Sequence, residues 1–228
     1  MTSANRKLQF QGEKSPSIPP KAAICSWYLI CVAAAAWLTF AVTSGGVHPG
    51  NAGRQAVLLA CALFYIARAA LTLFAFVKRK VPWWEAAWGG LPIGLVLFFS
   101  LRDGLRIPQP LAFLDWGGIL LYIAGSYVGT ASEYSRHLWK ARPENQGRLY
   151  TEGLFRYSRH INYFGDLLLF GGYALLTRLP WTGIVPLAMA LNFVFFIIPA
   201  HDVYLTARYG SEFDGYARRT RKLVPFLY

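Results

Sequence analysis

Residues 147 to 166 read Gly147-Arg-Leu-Tyr-Thr-Glu-Gly-Leu-Phe-Arg-Tyr-Ser-Arg-His-Ile-Asn-Tyr-Phe-Gly-Asp166, and they run directly into Leu167-Leu-Leu-Phe170. Arg, Tyr, His, Asn and Asp crowd one end of an apolar segment. Ionisable groups at the mouth of a membrane helix are costly to keep there and by default mark a functional site. The stretch therefore reads as a site at a membrane surface, holding a charged, water-soluble ligand. It also sets the fold class: an all-α, polytopic transmembrane helical bundle.

Composition agrees with that reading. Of 228 residues, 55% are hydrophobic and 15% charged, where a soluble domain carries about 25% charged residues. Mean hydropathy is +0.32. The net charge of +12 invites a nucleic-acid partner. The basic residues instead flank apolar runs in the positive-inside pattern, which assigns them to topology and to anionic lipid headgroups or an anionic cofactor. No nucleic acid is expected. Cys25, Cys31 and Cys61 lie in apolar runs at no metal or redox spacing and read as small buried side chains. The histidines have no third ligand at recognisable spacing, so no metal site is expected. Met1 to Lys21 is polar and Pro-containing, and no small-residue cleavage site follows the first apolar run, which reads as a signal anchor.

About six spans are expected, near residues 22–43, 55–77, 86–101, 113–132, 163–177 and 183–204, since a span needs roughly 20 mostly apolar residues. The third is short and carries Gly89, Gly90, Pro92 and Gly94, which predicts tilt or a kink. Seven spans, with a re-entrant piece near the third, is the competing count. Basic residues alternate from loop to loop. Arg6, Lys7, Lys14 and Lys21 precede span one, and Lys78, Arg79 and Lys80 follow span two. Six more lie between spans four and five, and five follow span six. Both termini are therefore expected in the cytoplasm. After span six, aromatic residues alternate with Arg and Asp. That pattern predicts a short amphipathic helix ending near Arg221, then an extended apolar end that docks back on the bundle.

Glu133 to Asp166, and the end Tyr216-Ala-Arg-Arg-Thr-Arg-Lys-Leu-Val-Pro-Phe-Leu-Tyr228, resemble the membrane superfamily of steroid 5α-reductases, sterol C14 and C7 reductases, DUF1295 proteins and isoprenylcysteine carboxyl methyltransferases. Within it the sequence is most similar to the DUF1295 group. The resemblance implies a C-terminal half, residues 133–228, that binds a cofactor from the cytosol. It also implies a four-span half, 22–132, that shapes a lipid pocket, behind a cytoplasmic segment, 1–21. The cofactor is NADPH in the reductases and S-adenosylmethionine in the methyltransferases. Asn162-Tyr163-Phe164-Gly165-Asp166 is similar to the reductase pattern Asn-Tyr-x-Gly-Asp/Glu. Ile161 stands where Pro is usual, and Pro199-Ala-His-Asp202 replaces the Glu or Arg/His pair common in relatives.

The chemistry of these residues suits that cofactor. An Asn amide both donates to and accepts from a nicotinamide carboxamide, and Asp166 lies four residues on, on the same helical face. Gly165 reads as a place where the cofactor approaches the backbone. Arg148, Arg156 and Arg159 can pair with phosphates. His160, Tyr163, His201 and Tyr204 complete the cofactor set, although His160 also reads as a loop contact and His201-Asp202 as a satisfied buried pair. Conjugate reduction further needs an acid to polarise a carbonyl. Glu85, Tyr65 and Tyr122 are the candidates, with Glu85 and Tyr122 as the catalytic choice. Arg68, mid-span, reads equally as functional or as a structural partner. No G-x-G-x-x-G or Walker pattern is present.

The expected function is NADPH-dependent reduction of a conjugated C=C bond in a lipid, such as a steroid, a sterol or another isoprenoid-like enone. The alternatives are an S-adenosylmethionine-dependent methyltransferase acting on a prenylcysteine carboxylate or phospholipid headgroup, and a non-enzymatic lipid-binding protein of the same fold. The expected partners are a lipid substrate within the bilayer and membrane lipids, and the oligomeric state stays open. The location is a multi-pass integral membrane one: endoplasmic reticulum in a eukaryote, inner membrane in a bacterium.

Overall fold

A computed structural model of the chain describes residues 15–43 and 50–228. The predicted basic cluster Arg6, Lys7 and Lys14, and connector positions 45–49, lie outside them. Eight α-helices are described: α1 Ile18–Thr43, α2 Ala52–Leu71, α3 Trp83–Gly104, α4 Phe113–Ala141, α5 Ile161–Thr177, α6 Ile184–Asn192, α7 Ile198–Tyr209 and α8 Ser211–Arg219. Among the described residues there is no strand, and one isolated bridge joins Ser158 to Arg221. Among the described residues four stretches are long and apolar enough to cross a membrane: Ile18–Ala41, Ala52–Phe76, Trp83–Gly104 and Pro180–Tyr209. They fall where spans one, two, three and six were expected, and α4 and α5 occupy the fourth and fifth positions. The protein is an all-α integral membrane protein. The third span differs from expectation: α3 is 22 residues long and continues through Pro92.

The chain divides into two compact units. One holds Phe170–Val185 and the described residues from 15 to 122. Here α1 packs on α3, with Ile24 against Gly90 and the Trp27 ring against Gly94. Trp27 Nε1 donates to the Leu91 carbonyl at 3.3 Å. Around Tyr65, the rings of Tyr28 and Phe170 stand 5.8 and 5.4 Å away. One end of the unit is closed by a buried ionic node that sequence reading missed. Arg54 is 1% exposed and Asp115 0%. Arg54 gives Nη1 and Nη2 to the Asp115 carboxylate at 2.9 and 2.8 Å. Its other donors go to the carbonyls of Gln109, Pro110 and Leu176. Arg178 adds a second clamp on Asp115, at 3.2 and 2.6 Å. Every Arg54 donor is thus satisfied, which a buried guanidinium requires. Arg54 and Arg178 each stand as the lone basic residue of a connector. Their partner lies 61 or more residues away in sequence, and no local spacing announces it.

The other unit holds Ile123–Leu169 and Pro186–Tyr228. Its α4 and α5 segments meet at glycines. A Cβ on Gly165 would fall 2.8 Å from Gly129 Cα and 2.9 Å from the Gly125 carbonyl oxygen. Small residues let two backbones approach this closely. The expectation that Gly165 admits a cofactor is therefore corrected: the neighbouring helix fills that space. Between α6 and α7 the turn widens into a π segment, Phe193–Ile197. Pro199, just beyond, lacks an N–H and would clash with the carbonyl four residues back, which accounts for the widening. Gly210 ends α7 at φ +52°, a left-handed conformation open to glycine at low cost. The chain then reverses into α8, whose buried Phe213 and Tyr216 pack on Leu149.

Candidate functional site

The site lies in the second unit, where the end of the chain folds against the loop that enters α5. Arg159 N–H donates to the Arg221 carbonyl at 2.9 Å, and His160 N–H to the Lys222 carbonyl at 3.1 Å. Ser158, fully buried, places its hydroxyl 2.8 Å from the Leu223 carbonyl oxygen. Tyr216 gives its O–H to the Phe155 carbonyl at 2.6 Å. The tail thus hydrogen-bonds to the loop before α5, and its helix stops at Arg219 rather than near Arg221.

Arg159 is the centre of this junction. It is 8% exposed. Nη1 donates to the carbonyls of Ala217 and Thr220 at 3.0 and 2.7 Å, where the last carbonyls of α8 need donors. Nη2 donates to Asp202 Oδ2 at 3.1 Å. Nε is buried and has no hydrogen-bond partner among the described residues. Arg159 therefore spends three donors on the protein itself.

Asp202 also takes His160, with Nε2 to Oδ1 at 2.9 Å. The His201-Asp202 pair expected from sequence is corrected in this respect: the carboxylate serves His160 and Arg159, which arrive from the other end of the unit's chain. His160 is 1% exposed. Burial holds its pKa below the usual histidine value, although Asp202 pulls the other way. A neutral imidazole follows near pH 7, with the Nε2 proton on the Asp202 side.

Rings line up on this dyad. His160 stacks on Tyr163 with centroids 5.5 Å apart and planes 1° apart. Tyr163 stacks on Phe193 at 4.7 Å and 16°. On the other side His201 lies 5.3 Å from His160, and Tyr204 6.2 Å from His201. Such a row sets flat aromatic faces beside charged groups. Phe193 was not singled out from sequence, since one Phe in an apolar run carries no signal of its own.

Asn162, on the first turn of α5, is half-buried. Its side-chain amide has no hydrogen-bond partner among the described residues. Asp166, one turn on, is half-buried as well. Arg148 and Arg156 are exposed on the loops before α5. The Arg156 guanidinium lies 4.7 Å from the Tyr157 ring centroid. The structure thus gathers His160, Tyr163, His201, Tyr204 and Arg159 into one cluster and leaves Arg148 and Arg156 on the surface.

The two catalytic choices belong to the other unit, and each is engaged locally. Tyr122 gives its hydroxyl to the Cys61 carbonyl at 2.6 Å. Glu85 is ion-paired with Arg79. A group with such a partner must release it before it can donate to a substrate carbonyl. Among the described residues no group of His, Cys, Asp and Glu is arranged to hold a metal ion.

Known proteins share this sequence pattern. A "Probable protein-S-isoprenylcysteine O-methyltransferase" from Oryza sativa is 25% identical over 144 residues, 60% of this chain and 75% of the relative. Protein-S-isoprenylcysteine O-methyltransferase B from Arabidopsis thaliana is 32% identical over 98 residues, 43% of this chain and half of that protein. The 3-oxo-5-alpha-steroid 4-dehydrogenase 1 of Mus musculus is 24% identical over 239 residues, 96% of this chain and 84% of the mouse protein. These relatives are enzymes of two chemistries, methyl transfer and oxidoreduction. The family described as "Protein of unknown function (DUF1295)" matches residues 91–220, more than half the chain, and the protein belongs to that family.

Proposed function

We propose that the protein is a membrane NADPH-dependent reductase that saturates a conjugated C=C bond in a lipid such as a steroid or isoprenoid enone. In a eukaryote the membrane would be the endoplasmic reticulum, in a bacterium the inner membrane. The observation that carries this reading is the Asn162 amide, half-buried beside His160 and without a partner among the described residues. An amide so placed is suited to a carboxamide, which both donates and accepts. The reductase alignment, which runs along nearly the whole chain, supports the same choice.

NADPH, when bound, supplies a hydride that ends on the β carbon of the enone while a proton is taken up at the α carbon. The chain's residues fit such a group. The ring row from Phe193 to Tyr204 offers faces for planar rings. Arg148 and Arg156 are free of ion pairs among the described residues and suit phosphate charge. Asp166 shares the face of Asn162. His160 is held neutral by burial, so it adds no positive charge near a hydride donor.

A second reading, methyl transfer from S-adenosylmethionine to a prenylcysteine carboxylate or headgroup, is favoured by the higher local identity to the Arabidopsis methyltransferase. A thermal melt of the detergent-purified protein separates the two. A ligand at 100 times its Kd stabilises by about 2.7 kcal/mol. NADPH is expected to raise Tm, and Asn162→Ala to remove the rise. Stabilisation by S-adenosylmethionine alone would overturn the reductase reading.

A further inference from the structure

The end of the chain lines a half-open cavity of about 470 Å³. Five cationic side chains line it, Arg159, Arg218, Arg219, Arg221 and Lys222, and no acidic side chain does among its described lining residues. Arg159 is paired with Asp202; the other four have no acidic partner among the described residues, and like charges around one space repel one another unless an anion completes them. Arg159, more than nine-tenths buried, forms the inner wall, its guanidinium held by Asp202 and the Ala217 and Thr220 carbonyls.

The surroundings suit a lipid rather than a soluble anion. α8 starts two residues after the apolar stretch Pro180–Tyr209, which places these residues close to the membrane surface. Beside the cations, Phe226 is 75% exposed and Leu227 80%. The turn that presents them is closed by Leu223 N–H on the Tyr228 carbonyl at 2.7 Å. Phe226 sits there at φ +67°, where glycine would be cheaper. An exposed aromatic kept at a strained turn next to a basic cluster combines apolar insertion with attraction to anionic headgroups.

We infer that this cavity binds the phosphate of an anionic phospholipid headgroup, with Phe226 and Leu227 entering the interface beside it. The inference does not rest on which cofactor the neighbouring site takes.

Its test uses the full chain in a neutral maltoside detergent. Thermal melts are run with dioctanoyl phosphatidylglycerol, dioctanoyl phosphatidylcholine, glycerol 3-phosphate and adenosine 2′,5′-bisphosphate, at equal concentrations. Phosphatidylglycerol is expected to raise Tm and the other three not to. The double variant Arg218→Gln/Arg221→Gln, altered at exposed positions only, should lose most of that rise and bind at least tenfold more weakly, with unchanged gel-filtration behaviour. Phe226→Ser should weaken phosphatidylglycerol binding as well. Equal protection by phosphatidylcholine would overturn the inference, as would equal protection by either soluble phosphate. An unchanged response in the double variant would do the same. A double variant that failed to fold would leave Phe226→Ser and the loss of the effect in high salt as the deciding measurements.

Discussion

Asp202 accepts from both His160 and Arg159, so a single carboxylate holds the loop before α5 to α7. Asp202→Asn would leave the Arg159 guanidinium 6% exposed with carbonyl partners but no counter-charge. A cost on the order of 3 kcal/mol is expected, read as a lower melting temperature. His160 contributes to the pH dependence. Its pKa is lowered in the fold, so the unfolded chain binds the proton first as pH falls below the ordinary value near 6.5. Stability is then full above that value and declines as pH falls through the lowered one. Melts should show Tm dropping between pH 7.5 and 5.5, with a flatter profile in His160→Gln. An equally steep profile in that variant would assign the dependence elsewhere.

The α4–α5 contact decides how the site is held at the scale of the element. Gly165 meets Gly129 and Gly125 backbone, which cannot yield as a flexible side chain can. Gly165→Ala should therefore cost about 1–3 kcal/mol by overpacking. Gly171 lies on the same helix with nothing within 4 Å of an added Cβ, so Gly171→Ala should stay within about 0.5 kcal/mol. Chemical denaturation of both variants in micelles makes the comparison. Equal effects would mean that helix propensity, not the crossing, sets the outcome. The π segment Phe193–Ile197 belongs to this scale too, since it turns Phe193 onto Tyr163 just ahead of Pro199.

For the molecule as a whole, the node at Asp115 is the largest stake. Asp115→Asn strands Arg54, whose side chain is 1% exposed, and a loss of about 3–5 kcal/mol is expected. Replacing Arg54 and Asp115 together by Met and Leu should recover part of it, because an apolar pair leaves no buried charge. No recovery in the double variant would show that the carbonyl bonds of Arg54, rather than the ion pair, close that end. Topology is tested at the same scale. Arg148→Cys and Arg218→Cys should both react with an impermeant maleimide from one and the same face. Labelling from opposite faces would contradict the predicted orientation.

The membrane class, the place of each apolar helix and the polar mouth of α5 were legible along the chain, because hydropathy and positive-inside charge act over windows of about 20 residues. Gly147 to Asp166 also holds three of the five clustered side chains, Arg159, His160 and Tyr163, within a few residues of one another. What the sequence could not say was which partner each polar group takes. Asp202 belongs to His160 and Arg159, Asp115 to Arg54 and Arg178, and Gly165 to the neighbouring helix rather than a ligand. Those pairings join residues 36 to 63 positions apart, and only the tertiary structure brings them into contact. Burial decided them: once water is excluded, each charge has to find its counter-charge wherever the packing of the helices has put it.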